Sequence, residues 1–224
     1  MRSGGRFGSA ELIRAVCCAA AVLLAPSSIA ATVAEAPGIG ELVVRLSHPK
    51  WDVRSDAFYS LLKLGAEPAG ARSPAQVKPS LAGLLSRNPQ QADDVRIALI
   101  KTLEIENRVA RSGAPLTEDF TGYYGDLIQA VGGLNDERSV NALAGALGTG
   151  NMANSALVAL GDKSVDAVIR QLEQATDRTV RQSACTVLER MSNPASRNPI
   201  RNPEHARRVQ QALGRPPCAR QRRD

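Results

Sequence analysis

The sequence predicts an all-α fold, an α-solenoid of about four or five stacked antiparallel helix pairs. Three observations predict it. Apolar residues recur at i, i+3, i+4 and i+7 along most of the chain beyond residue 38, the period of a helix with one buried side. Alternating strand runs and Asn-Gly or Asp-Gly hairpin signals are missing from the sequence. Similar segments return at intervals of roughly 26–45 residues, the size of a helix pair that cannot bury its stripe alone. Only 3% of the 224 residues are aromatic. The core is therefore expected to be Leu, Val, Ile and Ala, which suits closely packed helices.

Residues 1 to about 34 read as a secretory signal peptide. Arg2, Arg6 and Arg14 make a positive start offset by Glu11, and Ala15–Ala25 is an apolar run ended by Pro26. Ser28-Ile29-Ala30 or Thr32-Val33-Ala34 supplies small residues for cleavage. The run is too short for a bilayer core of about 30 Å. No other stretch is long enough, so no membrane span is expected in the mature form. Ala15-Val16 before Cys17 fits a lipobox poorly, which speaks against a lipid anchor.

The helices follow in order. Ile39, Leu42, Val43 and Leu46 form a short stripe ended by Ser47-His48-Pro49. Trp51–Leu64 carries Val53, Ala57, Leu61 and Leu64 at helical spacing, with Gly65 at its end. Trp51, at the entrance, is expected to pack against Ser55 or its neighbours. The Pro- and Ala-rich residues 66–75 read as a loop. Val77, Leu81, Leu84 and Leu85 mark a helix broken by Asn88-Pro89. Asp93–Ile105 follows on Val95, Ala98, Leu99 and Leu103, with Asp93-Asp94 at the positive end of its dipole. Residues 107–118, with a Gly-Ala-Pro break, read as an insertion.

Tyr123–Leu134 resumes helix on Leu127, Ala130, Val131 and Leu134, although Gly132 and Gly133 weaken it by roughly 1 kcal/mol each relative to Ala. Val140, Leu143, Ala144 and Leu147 lead into Asn151–Met191, three amphipathic helices with almost nothing between them. There Gly161 is expected as a left-handed stop, and Asp162 and Asp177 as the N-caps of the next two helices. The sequence thus divides into a leader over 1–34, a repeat domain over 35–192 and a basic C-terminal extension over 193–224 with one short helix at Glu204–Leu213. Its last 24 residues, 201–224, hold seven arginines (201, 207, 208, 215, 220, 222 and 223) against Glu204 and Asp224. The net charge of +6 therefore belongs mainly to a tail. A solvated, disordered end is the plain expectation for it.

Internal repetition is the strongest signal. Val53-Arg54, Val95-Arg96 and Val180-Arg181 each open a helix just after an acid at 52, 94 or 177. Ser155 to Leu160 realigns with Ser183 to Leu188, and Ala130 to Asp136 with Ala156 to Asp162. On these residues, together with the A-x3-L helices Ala57/Leu61, Ala156/Leu160 and Ala184/Leu188, the stretch 38–191 resembles the HEAT-repeat family, particularly its short bacterial HEAT-like form. The resemblance implies stacked antiparallel helix pairs with an inner row of second helices that binds a protein partner. It also implies that the turn Asp and helix Arg of each repeat (Asp52 and Arg54, Asp94 and Arg96, Asp177 and Arg181) reach neighbouring repeats. In that role they are structural: the Asp accepts amides at a helix start and the Arg fork spans to the next turn's carboxylate.

Chemistry finds little support. The two histidines, His48 and His205, stand in a turn and in the terminal helix, so no catalytic residue, metal ligand or cofactor site is expected. HEAT-like iron enzymes use His-Glu pairs, and this chain carries only the reverse, Glu204-His205. GALGTGN (residues 145–151, with Gly145, Gly148 and Gly150) lacks the strand before and the Lys-Ser/Thr after that a phosphate loop needs, and reads as a turn between helices. With the leader removed, Cys185 and Cys218 remain, plausible disulfide partners in an oxidising compartment. The expectation is an exported, periplasmic or secreted, non-enzymatic scaffold that binds another protein and no nucleic acid. The alternatives are a HEAT-like enzyme or chromophore-lyase-type factor, and a nucleic-acid binder using the arginine-rich tail; export counts against both.

Overall fold

Helix periodicity is converted into helices almost everywhere it occurs. A computed structural model describes residues 37–66, 81–196 and 198–221. The expected leader, most of the 66–75 loop, Val77, Arg222 and Arg223 lie outside the described residues. The helices are α1 (Ile39–Arg45), α2 (Trp51–Gly65), α3 (Leu81–Arg87), α4 (Ala92–Ala110), α5 (Glu118–Gly133), α6 (Val140–Gly145), α7 (Asn151–Leu160), α8 (Val165–Gln174), α9 (Arg178–Ser192), α10 (Pro203–Leu213) and α11 (Cys218–Gln221). Short 3-10 turns at Glu137–Ser139 and Gly161–Ser164 lead into α6 and α8. Among the described residues there is no strand.

Every helix but α7 packs on the next in sequence, α7 and α8 meeting instead on the Gly161–Ser164 turn between them, and most also pack on a second, more distant helix. α1, α4, α6, α8 and α10 touch in that order and make one row; α2, α5, α7 and α9 make another. α3 sits apart from both, against α2 and α4. The apolar stripes meet between the rows. Leu42, Leu61, Leu99, Leu127, Leu143, Leu157, Val168 and Leu188 are wholly buried there, each contributing about 1.5–3 kcal/mol of apolar transfer. Aliphatic residues dominate, as the composition requires. The aromatics among the described residues are gathered at one place, between α2 and α5: Phe58, Phe120, Tyr123 and Tyr124 are buried, and Trp51 is half-buried among them. Trp51 meets Phe120 edge-on at 5.6 Å and stacks on Tyr123 at 6.3 Å.

Three local expectations are corrected. The break expected over 107–118 is shorter: α4 runs on to Ala110 and α5 begins at Glu118, leaving 111–117 between them. The reason is polar. Glu106 and Asn107 are buried and hydrogen-bonded, and Thr117 caps α5 by accepting from the Phe120 amide at 3.2 Å. Gly161 takes a positive φ of 57° but a ψ of −132°, not the left-handed helical stop. Asp162 does not cap α8 either, because its carboxylate is committed to the C-terminal segment. Asp177 does cap α9, accepting from the Thr179 amide at 2.6 Å.

Gly132 has a use that propensity hides. A Cβ there would stand 2.6 Å from the Cβ of Ala156, so its bareness lets α5 and α7 approach closely. Gly148, at φ +90°, would likewise press a Cβ into Val180. The 146–150 segment is indeed a turn between α6 and α7.

Residues 198–221 are not a solvated end. Val209, Leu213 and Cys218 are buried in the same core as the preceding helices, and α10 packs on α8 and α9. The Ile200 amide donates to the Met191 carbonyl at 3.3 Å. Cys185 of α9 and Cys218 are joined by a disulfide, with Cα atoms 5.5 Å apart across a sequence separation of 33. Closing a loop of that length removes unfolded-state freedom. Reduction, or Cys218→Ala, is therefore expected to lower unfolding stability by about 2–4 kcal/mol, measured by urea titration with and without reductant.

Candidate functional site

One buried polar cluster ties the first helices together, and it is built on α4. Thr102, Glu106 and Asn107 fall on the side of α4 that faces its neighbours, and all three are buried. Thr102 donates towards the carbonyls of Ala98 at 2.7 Å and Leu46 at 3.1 Å, the latter at the end of α1. Glu106 receives Arg54 of α2 as a fork, Nε to Oε1 at 2.6 Å and Nη2 to Oε2 at 2.7 Å. Tyr123 of α5 donates its hydroxyl to Oε1 at 3.1 Å. Asn107 accepts from the Tyr124 hydroxyl at 2.6 Å and donates to the Ala142 carbonyl of α6 at 2.8 Å.

Arg54 itself is 1% exposed. Its remaining edge, Nη1, donates to the carbonyls of His48 at 2.6 Å and Pro49 at 2.8 Å, closing the turn between α1 and α2. Burial pulls the Arg54 guanidinium down, but hydrogen bonding to Glu106 and that carboxylate's charge outweigh it, and its pKa rises above the ordinary value. Burial first, then the Glu106 charge, pushes the Tyr123 hydroxyl far above the ordinary tyrosine range. Both groups hold their protons at every physiological pH. The cluster has both carboxylate oxygens and four guanidinium hydrogen bonds engaged, so it is a joint rather than an open catalytic site.

The six Asp and Arg positions singled out by the repeat do not behave alike. Arg54 and Arg181 sit at the fourth residue of α2 and α9, in the same row, whereas Arg96 opens α4 in the other row. The Val95-Arg96 match is thus out of phase with the other two. Asp52 accepts from the adjacent Val53 amide at 2.8 Å and reaches no neighbouring repeat among the described residues. Asp94 is exposed at the rim of a groove between α1 and α4. Among the described residues Arg96 makes no salt bridge, but its charge helps hold the carboxyls of Asp93 and Asp136 low. The turn-to-turn span expected of Arg96 is made instead by Arg138, which holds Asp93 at 2.6 Å and Asp136 at 2.7 Å. Its hydrogen bonds are the first cause of the lowered pKa of both aspartates. Arg181 carries its Nε buried and without a hydrogen-bond partner.

A second clasp docks the C-terminal segment. Asp162 accepts from the amides of Arg201 at 2.9 Å and Asn202 at 3.2 Å, and stands 3.1 Å from His205 Nδ1. Arg208 donates to Asp166 at 2.5 Å. Burial works to raise the Asp162 carboxyl, but the two amides and His205 outweigh it and hold it below the ordinary 3.8. His48 and His205 therefore serve two different turns, and among the described residues no three His, Cys, Asp or Glu side chains gather as metal ligands.

The exposed side of the α2, α5, α7, α9 row is mixed in character. Asp56, Gly122, Asp126, Met152, Ser155 and Gln182 are exposed along it, and Met152 leaves 48% of its surface to solvent. Tyr59 donates to Asp126 at 2.8 Å; burial first, then that bond, pushes its hydroxyl up to about 12. Among the described residues no helix is long and apolar enough to cross a membrane. Comparison of the chain with family models, curated proteins and solved structures gives no match.

Two outcomes are expected. Glu106→Gln leaves Arg54 buried without its counter-charge and should destabilise by about 3–5 kcal/mol, while exposed Asp52→Ala should stay within about 0.5 kcal/mol. Pairing Glu106→Gln with Arg54→Met should cost less than the sum of the two singles, read as coupling in chemical denaturation. The second concerns acid. A carboxyl whose folded pKa is depressed stabilises above its unfolded value and loses that contribution as pH falls through the folded value. The Asp162 clasp should therefore be intact at pH 5 and released below 3.8. Hydrogen exchange at the Arg201 and Asn202 amides would report it, and Asp162→Ala should remove their protection at every pH.

Proposed function

We propose that this protein is an exported, non-enzymatic scaffold of the HEAT-like repeat kind, an α-solenoid that binds a protein partner along its row of second helices. The observation that carries the reading is the two-row packing, in which α2, α5, α7 and α9 follow one another on one side and α4, α6, α8 and α10 on the other. Helix pairs stacked this way offer one continuous surface made of the same helix from each pair. Here that surface mixes an exposed methionine, a bare glycine at 122 and separated acids, the adaptable and partly apolar character of a recognition face.

The disulfide between Cys185 and Cys218 favours an oxidising compartment, in keeping with the leader read from residues 1–34. The polar clusters favour a scaffold over an enzyme, because the most buried charges are spent on one another. The signal peptide would be cleaved before the protein takes up its role, and the arginines of the tail would act in docking α10 rather than on nucleic acid.

Site-specific photocrosslinking in the exporting cell tests the proposal. A photoreactive residue placed at Ser155 or Gln182 should yield one discrete protein adduct in the exported fraction, and the same residue at Arg170, exposed on the other row, should not. Equal labelling from both rows, or adducts at none, would remove the proposed face.

A further inference from the structure

We infer a carboxylate-binding pocket between α8, α9 and α10, with Arg181 as its recognition residue. The pocket is about 310 Å³, enough for one acidic side chain or a small dicarboxylic acid. Leu172 and Ala212 supply its apolar part, and Arg181, Arg208, Gln211 and Arg215 bring the polar groups. Its far wall, Pro216-Pro217, is held against α9 by the adjoining Cys185–Cys218 disulfide.

The inference rests on a comparison within the chain. Arg54 and Arg181 occupy the same position, the fourth residue, in two helices of one row. Arg54 is met by Glu106, from the α4 helix packed on it, in a two-bond fork. Around Arg181, α10 offers Arg208 and Gln211 and the segment after it offers Arg215, and the one carboxylate lining the pocket, Glu173 of α8, makes no bond to Arg181 among the described residues. The side chain of Arg181 makes no hydrogen bond or ion pair among the described residues. Its Nε is sealed off without a partner. Its Nη groups are not sealed, so they are the edge left open to the pocket.

An unpaired guanidinium on a partly apolar wall is costly, and a planar carboxylate is the group that answers it two bonds at a time. Arg208 is held at one edge by Asp166, and Glu173, an exposed residue of α8, also lines the pocket. Three guanidiniums against those two carboxylates leave one positive charge to be met. An incoming carboxylate does for Arg181 what Glu106 does for Arg54.

The source of that carboxylate is either an acidic side chain of a protein segment or a free small acid, and one titration separates them. The oxidised, 15N-labelled protein is followed at its arginine Nε–H resonances while succinate, acetyl-Ala-Glu-Ala-amide, acetyl-Ala-Gln-Ala-amide or inorganic phosphate is added. The Arg181 resonance should move saturably with succinate, with the Glu peptide or with both, and not with the Gln peptide; the Arg54 resonance should stay still. Saturation by succinate assigns the site to a free acid, and saturation by the Glu peptide alone assigns it to a protein segment. Arg181→Gln should weaken binding about tenfold or more. Arg215→Gln, at an exposed position where folding is not at stake, should weaken it severalfold. Absence of a saturable shift with either carboxylate, binding that survives Arg181→Gln, or phosphate binding as tight as carboxylate would overturn the inference.

Discussion

The fork between Arg54 and Glu106 is the constraint on which the first half of the structure depends. A guanidinium and a carboxylate out of water are tolerated only when nearly every polar atom of both is met. That requirement sets the distance between α2 and α4, closes the α1–α2 turn through His48 and Pro49, and draws Tyr123 of α5 into the same place. Apolar stripes alone would let short helices slide along one another. A buried pair with a fixed two-bond geometry does not, and the aromatic group of Trp51, Phe58, Phe120 and Tyr123 then packs around the joint it defines.

The second half is held by other means. There the core is aliphatic, and the close approach of α5 and α7 relies on the missing side chain of Gly132. Its end is fastened by two independent ties: the Asp162 clasp on the segment entering α10, and the disulfide on the segment leaving it. Between them α10 buries Val209 and Leu213 against α8 and α9. What composition shows as a basic tail is thus a closing helix whose apolar side faces the core and whose charges face out. Of its two arginines, Arg207 is exposed and Arg208 is bound to Asp166.

The two ends of the second-helix row differ in a way that bears on function. Arg54 is saturated, whereas Arg181 holds a sealed, unmatched Nε, and Asn154, at the fourth position of α7, likewise holds an unmatched Oδ1. Unmatched buried polar atoms are few in a well-packed protein, and they mark where packing has been compromised for something else. Both fall in the row that the proposed function uses. The saturated end serves as an anchor, and the unsaturated end keeps chemistry available for a ligand.

Periodicity determined the helices by itself. A stripe at i, i+3, i+4 and i+7 depends only on neighbours in sequence, so α1, α2, α4, α7, α8, α9 and α10 could be read from it with errors at their ends, whereas Cys185 and Cys218 were only candidate partners in the sequence, and the fold is what brings them together. Which helices share a row, and therefore which Asp-Val-Arg matches are equivalent, was decided only in three dimensions: the motif spacing put Arg96 beside Arg54, and packing put it in the opposite row. Glu106, Asn107 and Arg138 carried no local signal, because a charged or amide residue on a helix is ordinarily solvated and only a partner some 17 to 52 residues away makes it otherwise. The docking of the C-terminal segment lay beyond the sequence for the same physical reason. Burial is a property of what lies opposite a residue, and composition reports only what lies beside it.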